Sequence, residues 1–364
     1  MEGKETLSEL LKEESMKKRF FCCLAALCML AGGAKADKHL RITFAGDVTL
    51  GSEERLWQEE TSLVHTASAQ GDDYFFANVK PLFDADDLTV VNLEGVLSDS
   101  GEGERKDKTY RFRGPSSFAS ILTAGGIEMV SVANNHTMDY GERGYLDTLT
   151  ALDEEGLAYF GGRSVRLWEK DGVKLAFLGL SYTDDCRAER EWMAQEIAQL
   201  KQEEGASAVI FTYHGGQEYS QARTKKQQDI ARMAVNAGAD LVIMHHPHVV
   251  QGMSVLDGRS VLYSLGNFCF GGNKNVRAME SLIAVADLTF SDDGAYLGQQ
   301  LCLYPAHVSG TEKRNDYQPH LAGGKDARRV MRLVQADTRF SLEPFDEELG
   351  YAAQAYLPAQ ASAQ

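Results

Sequence analysis

The segment ADLVIMHHPHVVQG, residues 239–252, decides how this chain is read. Its first six residues form an apolar, β-prone run, the pattern of a buried strand. Around the next proline stand His245, His246 and His248, three of the nine histidines in the chain. Neutral imidazole is the commonest metal ligand among side chains. Pro247 fixes its own φ and pushes the residue before it towards an extended backbone. An extended His-x-His sends both rings to one side. His246 and His248 therefore read as a ligand pair. His245 reads as a structural histidine whose ring points the other way.

Working outward, the same grammar recurs. Strands are expected at Leu40 to Ala45, Leu88 to Val91, Ile127 to Val132, Ala208 to Tyr213 and Ala239 to Met244. Helical patterns lie between them at Pro115 to Ala124, Glu142 to Glu155, Ala188 to Glu204 and Arg223 to Ala237. Strands alternating with helices make an α/β protein. Asp171-Gly172 and Asp257-Gly258 each sit between alternating runs, a hairpin signal, and residues 281–308 read as a further strand pair. No internal repeat and no long linker interrupts the pattern. One domain over residues 38–340, with two mixed sheets and flanking helices, is the expected plan. The Ala/Gln-rich residues 341–364 are expected to form a flexible tail.

The bulk numbers bound the function. With 364 residues, 43% of them hydrophobic, a sizeable core is available. A net charge of −16 argues against nucleic acid as a partner. Residues 16–36 carry a basic start (Lys17, Lys18, Arg19), an apolar stretch and an Ala-Lys-Ala end, the layout of a secretory signal. The apolar stretch is short against the ~20 residues of a membrane span. Export is expected, with cleavage after Ala36 preferred to an uncleaved anchor, and residues 1–15 read as a start-site artefact. Cys186, Cys269 and Cys302 remain beyond the signal. Three is no disulfide framework, so buried thiols are expected.

Every strand of the series ends in polar residues suited to metal binding. These are Gly46-Asp47, then Asn92-Leu93-Glu94-Gly95, Asn134-Asn135-His136, His214-Gly215-Gly216-Gln217-Glu218 and His246-Pro247-His248. Singly, an Asp or Asn there makes a turn or a helix cap. Together, carboxylates and imidazoles make a site for Zn²⁺, Mn²⁺ or Fe. The stretch KDKTYRFRGP adds Lys106, Lys108, Arg111 and Arg113 to an acidic protein. It reads either as a solvated loop or as an anion clamp, with Arg113 suited to bidentate carboxylate or phosphate binding.

The ordered motifs GDVTLG, NLEG, ANNHTMDYG, HGGQEY, HHPHV and YSLGNF, spread from Ile42 to Phe268, resemble the CapA capsule and poly-γ-glutamate synthesis family. That family belongs to the calcineurin-like metallophosphoesterase superfamily. The resemblance implies a four-layer α/β/β/α sandwich with two divalent metal ions (Mn, Zn or Fe) at the sheet edges. It implies that Asp47 binds the first metal, Glu94 bridges both, Asn135, His214 and His246 bind the second, and His248 returns to the first. It places His136 beside the substrate as a general acid or charge stabiliser, oriented by Asp139. Lys108 and Arg113 match the family's K-x-Y-x-F-R segment. Glu218 matches its H-x-G-x-E, as an orienting residue, and Asn267 of SLGNF reads either as a hydrogen-bonding residue at the substrate side of the site or as a turn residue.

Two positions depart from the superfamily. Thr49 stands where the first motif, Asp-x-His, has its histidine, and Glu94 replaces the usual bridging Asp. The first metal is therefore expected to be weakly held. The implied function is an exported, metal-dependent protein of capsule or poly-γ-glutamate synthesis, hydrolysing or transferring at a phosphoester or an amide. The alternatives are a non-catalytic assembly or export factor for an anionic envelope polymer, and a general secreted phosphoesterase. The implied partners are an anionic polymer or a phosphorylated small molecule, and a membrane-bound polymer synthase.

Overall fold

All five expected strands form, at Lys38–Thr49, Leu88–Leu93, Met129–Ser131, Ala208–His214 and Leu241–His245. The computed structural model describes residues 37–273 and 275–359, so the secretory signal and the start-site artefact lie outside the described residues. Among the described residues no helix is long and apolar enough to cross a membrane.

The protein is mixed α/β with two large mixed sheets, of ten and six strands among the described residues. In the larger, Lys38–Thr49, Leu88–Leu93, Met129–Ser131 and Ala158–Phe160 run parallel in that order. The long antiparallel pair Glu280–Phe290 and Tyr296–His307 extends the sheet from the other side of Lys38–Thr49. In the smaller, Val173–Ser181, Ala208–His214, Leu241–His245 and Arg259–Leu262 run parallel. Arg166–Lys170 and Met253–Leu256 flank them antiparallel. Both expected hairpin turns close here, with Asp171, Gly172, Asp257 and Gly258 all at positive φ, as a two-residue turn of this twist requires.

Side chains alternate across each strand, so every buried strand serves two cores. Ile42, Phe44, Leu88 and Val90 of the larger sheet share one core with Leu175, Phe177, Ile210, Leu241 and Ile243 of the smaller. The intervening Val91, Leu93 and Val130 pack with Phe75, Phe76, Ile121, Leu122 and Leu152. Ala176, Val209, Phe211, Val242 and Met244 pack with Met193, Ile197, Ile230 and Ala234 of the helices Arg187–Gln202 and Lys225–Ala237. The helix expected from Pro115 begins as a 3-10 turn, Ser116–Phe118, and becomes α only over Ala119–Ala124. Gly141–Glu154 fulfils the remaining helical expectation. Cys269 and Cys302 are buried thiols, but Cys186 is exposed at the start of Arg187–Gln202, against expectation.

Residues 341–359 do not behave as the loose tail their composition suggests. Ala352–Ala353 and Leu357–Pro358 pair with Tyr296–His307, and the Tyr351 ring lies 4.7 Å from that of Tyr304. The reason is edge satisfaction: the outer strand of the hairpin would otherwise present unpaired N–H and C=O groups. Tyr351 is only 3% exposed. Tyr351→Ala is expected to cost about 3 kcal/mol, by analogy with other buried aromatic truncations, read as a lowered thermal midpoint. An unchanged midpoint would return the segment to a tail.

Candidate metal centre

Parallel strands in register deliver their ends to one place. Asp47 pairs with Asn92 on one side and with Asn267 on the other, and Asn92 pairs with Ser131. In the second sheet His214 lies opposite His245. Gly46 makes the close approach possible, because a Cβ there would sit 2.1 Å from the Gly266 carbonyl oxygen. The Asp47 N–H donates to that same carbonyl at 3.0 Å. Gly95, at φ 139, turns the chain directly after Glu94.

The histidine turn differs from its sequence reading. His246 and His248 are not extended; their φ values are 97° and 58°. Backbone of this kind costs roughly 1–3 kcal/mol per non-glycine residue and persists only where the surroundings enforce it. Here the Pro247 carbonyl accepts from Tyr219 N–H at 2.8 Å, and Gly215 N–H donates to His245 at 3.0 Å. His245 does not point away either. Its Nδ1 lies 3.3 Å from Asp47 Oδ1.

The donor atoms fall into three groups, each within 4.8 Å: Glu94, His214 and His246; Asp47, Glu94 and His248; and Glu218, His246 and His248. The first two share Glu94. His214 Nε2 lies 2.7 Å from Asn135 Oδ1 and 3.2 Å from His246 Nδ1. His248 Nδ1 lies 3.5 Å from Asp47 Oδ2 and 3.9 Å from Glu94 Oε2. Glu94 is fully buried, yet neither of its oxygens has a hydrogen-bond partner. An ionised carboxylate so placed is strongly disfavoured unless a cation meets it. The residues present therefore fit a divalent metal.

The charges say the same. Burial holds the Glu94 carboxyl well above the usual range. Burial acts against a charged His248, but the Glu94 and Asp47 carboxylates outweigh it and lift its pKa to about 9. Burial and the neighbouring His248 hold His246 down at about 4, and burial and His246 keep His214 neutral as well. The cluster without metal thus retains protons beside Glu94, where a cation would displace them.

Around this cluster lie the other expected residues. His136 Nδ1 is 2.6 Å from Asp139 Oδ2. An ionised carboxylate only accepts, so Nδ1 carries the hydrogen. Nε2 then faces Glu94 Oε1 at 3.7 Å with its lone pair free. Asp139 also accepts from Phe112 N–H at 2.7 Å and pairs with Lys108. Lys108 donates to the Asn135 carbonyl at 2.7 Å, so it fixes this corner instead of reaching outward. Asn267 Oδ1 lies 2.8 Å from His248 Nδ1 and orients that ring. Glu218 is exposed at the open face, close enough to His246 and His248 to ligate with them.

Arg113 does not reach the cluster. Its side chain is 2% exposed, paired with Glu54 at 2.7 Å, donating to the Ser98 carbonyl and stacked on Trp57. A substrate anion has no access to it, and the clamp reading is replaced by a structural one. Arg111 and Lys106 are tied to Glu104. Asn92, read from sequence only as one of the polar residues closing its strand, has its Nδ2 2.8 Å from Asp47 Oδ1 and 3.2 Å from His214 Nδ1. The signal for this closer role was its place two residues before Glu94 on one strand face.

Fold and cluster define a mixed α/β protein with a buried group of His, Asp, Asn and Glu side chains suited to a metal. Residues 41–272 match the bacterial capsule synthesis protein family PGA_cap, and the chain belongs to that family. It is 27% identical over 259 residues to the capsule biosynthesis protein CapA of Bacillus anthracis, covering 65% of this chain and 61% of that protein. To the PGA biosynthesis protein CapA of Bacillus subtilis (strain 168) it is 28% identical over 255 residues, covering 65% and 64%. A probable polyglutamine synthesis accessory protein of Mycobacterium tuberculosis is 24% identical over 259 residues, covering 62% and 67%. The chain thus spans less than two thirds of the length of the two CapA proteins.

Metal uptake should expel protons. Because the Glu94–His248 pair holds a proton in the metal-free cluster, affinity for Mn²⁺ or Zn²⁺ is expected to rise as pH increases towards about 9. Glu94→Gln should abolish high-affinity binding and flatten that dependence. Isothermal titration at several pH values reads both, and a pH-independent affinity would contradict the assignment.

Proposed function

We propose that this chain is an exported, metal-dependent protein of capsule or poly-γ-glutamate synthesis, acting on an anionic envelope polymer at a phosphoester or amide bond. The observation that carries the reading is Glu94, with two buried unbonded oxygens where two donor groups meet. The names of the relatives, capsule and PGA biosynthesis proteins, support the polymer. The three apolar cores support a four-layer α/β/β/α sandwich of the calcineurin-like metallophosphoesterase type. Export rests on the signal pattern of residues 17–36, and a membrane-bound synthase is the proposed partner.

In this reading Asp47, Glu94 and His248 hold one cation, and Glu94, Asn135, His214 and His246 hold the other. A metal pair so held would supply an activated water and polarise the scissile group. The chain's own part is positional. Asp139 and Lys108 lock the His136 ring, so that Nε2 points at the cluster with a lone pair able to take or return a proton. The strained turn carries His246 beside His214 and His248 beside Asp47.

The second reading, a non-catalytic assembly or export factor, is favoured by Thr49. Its hydroxyl is buried without a hydrogen-bond partner, and it supplies no imidazole. Metal analysis and turnover on protein beginning at Asp37 separate the two. The enzyme reading expects metal bound at the cluster and Mn²⁺-dependent cleavage of a chromogenic phosphodiester or a γ-linked glutamate oligomer. His136→Ala should then lower turnover about 10²–10⁴-fold, the usual worth of a general acid or base, with metal content unchanged. Metal without turnover of either substrate would leave the assembly factor.

A further inference from the structure

The basic stretch expected to bind an anion is committed elsewhere: Lys108 pairs with Asp139, and Arg113 with Glu54. A chain of net charge −16 repels an anionic polymer at long range, so a cation at the mouth of the site is the group suited to receive one. Arg277 stands there. It is exposed, between the strands Asn267–Phe270 and Glu280–Phe290, and its guanidinium carbon lies 3.5 Å from the centre of the Tyr219 ring. The Tyr219 ring lies 5.8 Å from that of His248.

Tyr219 is a fixed platform. It is held at φ 57, its N–H donates to the Pro247 carbonyl at 2.8 Å, and Gln251 Nε2 donates to the Ser220 carbonyl at 2.8 Å. The loop carrying Glu218 and Tyr219 is thereby stitched to the histidine turn. A guanidinium stacked on a ring keeps its in-plane N–H groups available for a bidentate acceptor. Arg277 also borders a cavity of about 560 Å³ shared with His307, His320 and Arg329. Glu280, Glu312 and Asp326 line that cavity too, and Arg329 is paired with Glu280 at 2.7 Å, so the cavity is not itself an anion site and the anion falls to Arg277 alone.

We infer that Arg277, seated on Tyr219, is the oxyanion-binding residue of this site, holding a carboxylate or phosphate of the substrate next to the reacting bond. The inference rests on the proposed role in anionic-polymer synthesis and adds the residue that reads the anion. The test is calorimetric titration of the metal-loaded full protein with a short γ-linked glutamate oligomer and, separately, with inorganic phosphate. Arg277→Ala is expected to weaken binding about tenfold or more, the worth of a charge-assisted hydrogen bond, with metal content unchanged. Arg277→Lys should restore only part, because the planar fork is lost. Arg277-dependent binding of the oligomer identifies a carboxylate, and Arg277-dependent binding of phosphate alone identifies a phosphoryl group. Equal binding by wild type and Arg277→Ala overturns the inference while leaving the proposed function standing. A wild-type protein that binds neither probe removes both.

Discussion

The structure turns on one carboxylate. Glu94 directly follows Leu88–Leu93, a central strand of the larger sheet, and is fully buried with both oxygens lacking a hydrogen bond. Burial of that kind opposes the ionised form, and the fold surrounds it with His136, His214 and His248 at 3.6–3.9 Å without satisfying it. What surrounds Glu94 is arranged for a cation. Asp47 comes from the neighbouring strand, His214 and His246 from the other sheet, and Asn267 steadies His248 from the far side of Asp47.

That arrangement depends on strands that run parallel and end together. Apolar residues on both faces bury the strands, and register then fixes which polar residues meet beyond their ends. The cost appears at the histidine turn, where two non-glycine residues are held at positive φ. The hydrogen bonds from Tyr219 and Gly215 to that turn hold the strain in place. Tyr219 serves twice, since the same residue supports Arg277 at the mouth.

Much of this was legible in the sequence because it is local. Apolar runs such as ADLVIM, the Asp-Gly turns and the polar residues that close each strand depend on a few neighbouring side chains, and these readings hold. The family resemblance named the residues that the structure gathers around Glu94. What was not legible depends on distant partners. Arg113 has the chemistry of an anion clamp, but Glu54, Trp57 and the Ser98 carbonyl enclose it. His245 was read as turned away, but it is the last residue of its strand and lies on the face of Leu241 and Ile243, which looks towards the larger sheet, so alternation itself brings it to Asp47. Residues 341–359 have the composition of a tail, but Ala352–Ala353 and Leu357–Pro358 pair with Tyr296–His307, and Leu342 and Phe345 pack against the core between the sheets.

The measurement that bears most directly on this account is anomalous diffraction from crystals grown with Mn²⁺. The account predicts density on either side of Glu94, one peak between Asp47 and His248 and one among Asn135, His214 and His246. Because Thr49 offers no imidazole, the peak beside Asp47 should be the weaker. No anomalous density at Glu94, or density confined to the exposed surface, would contradict it.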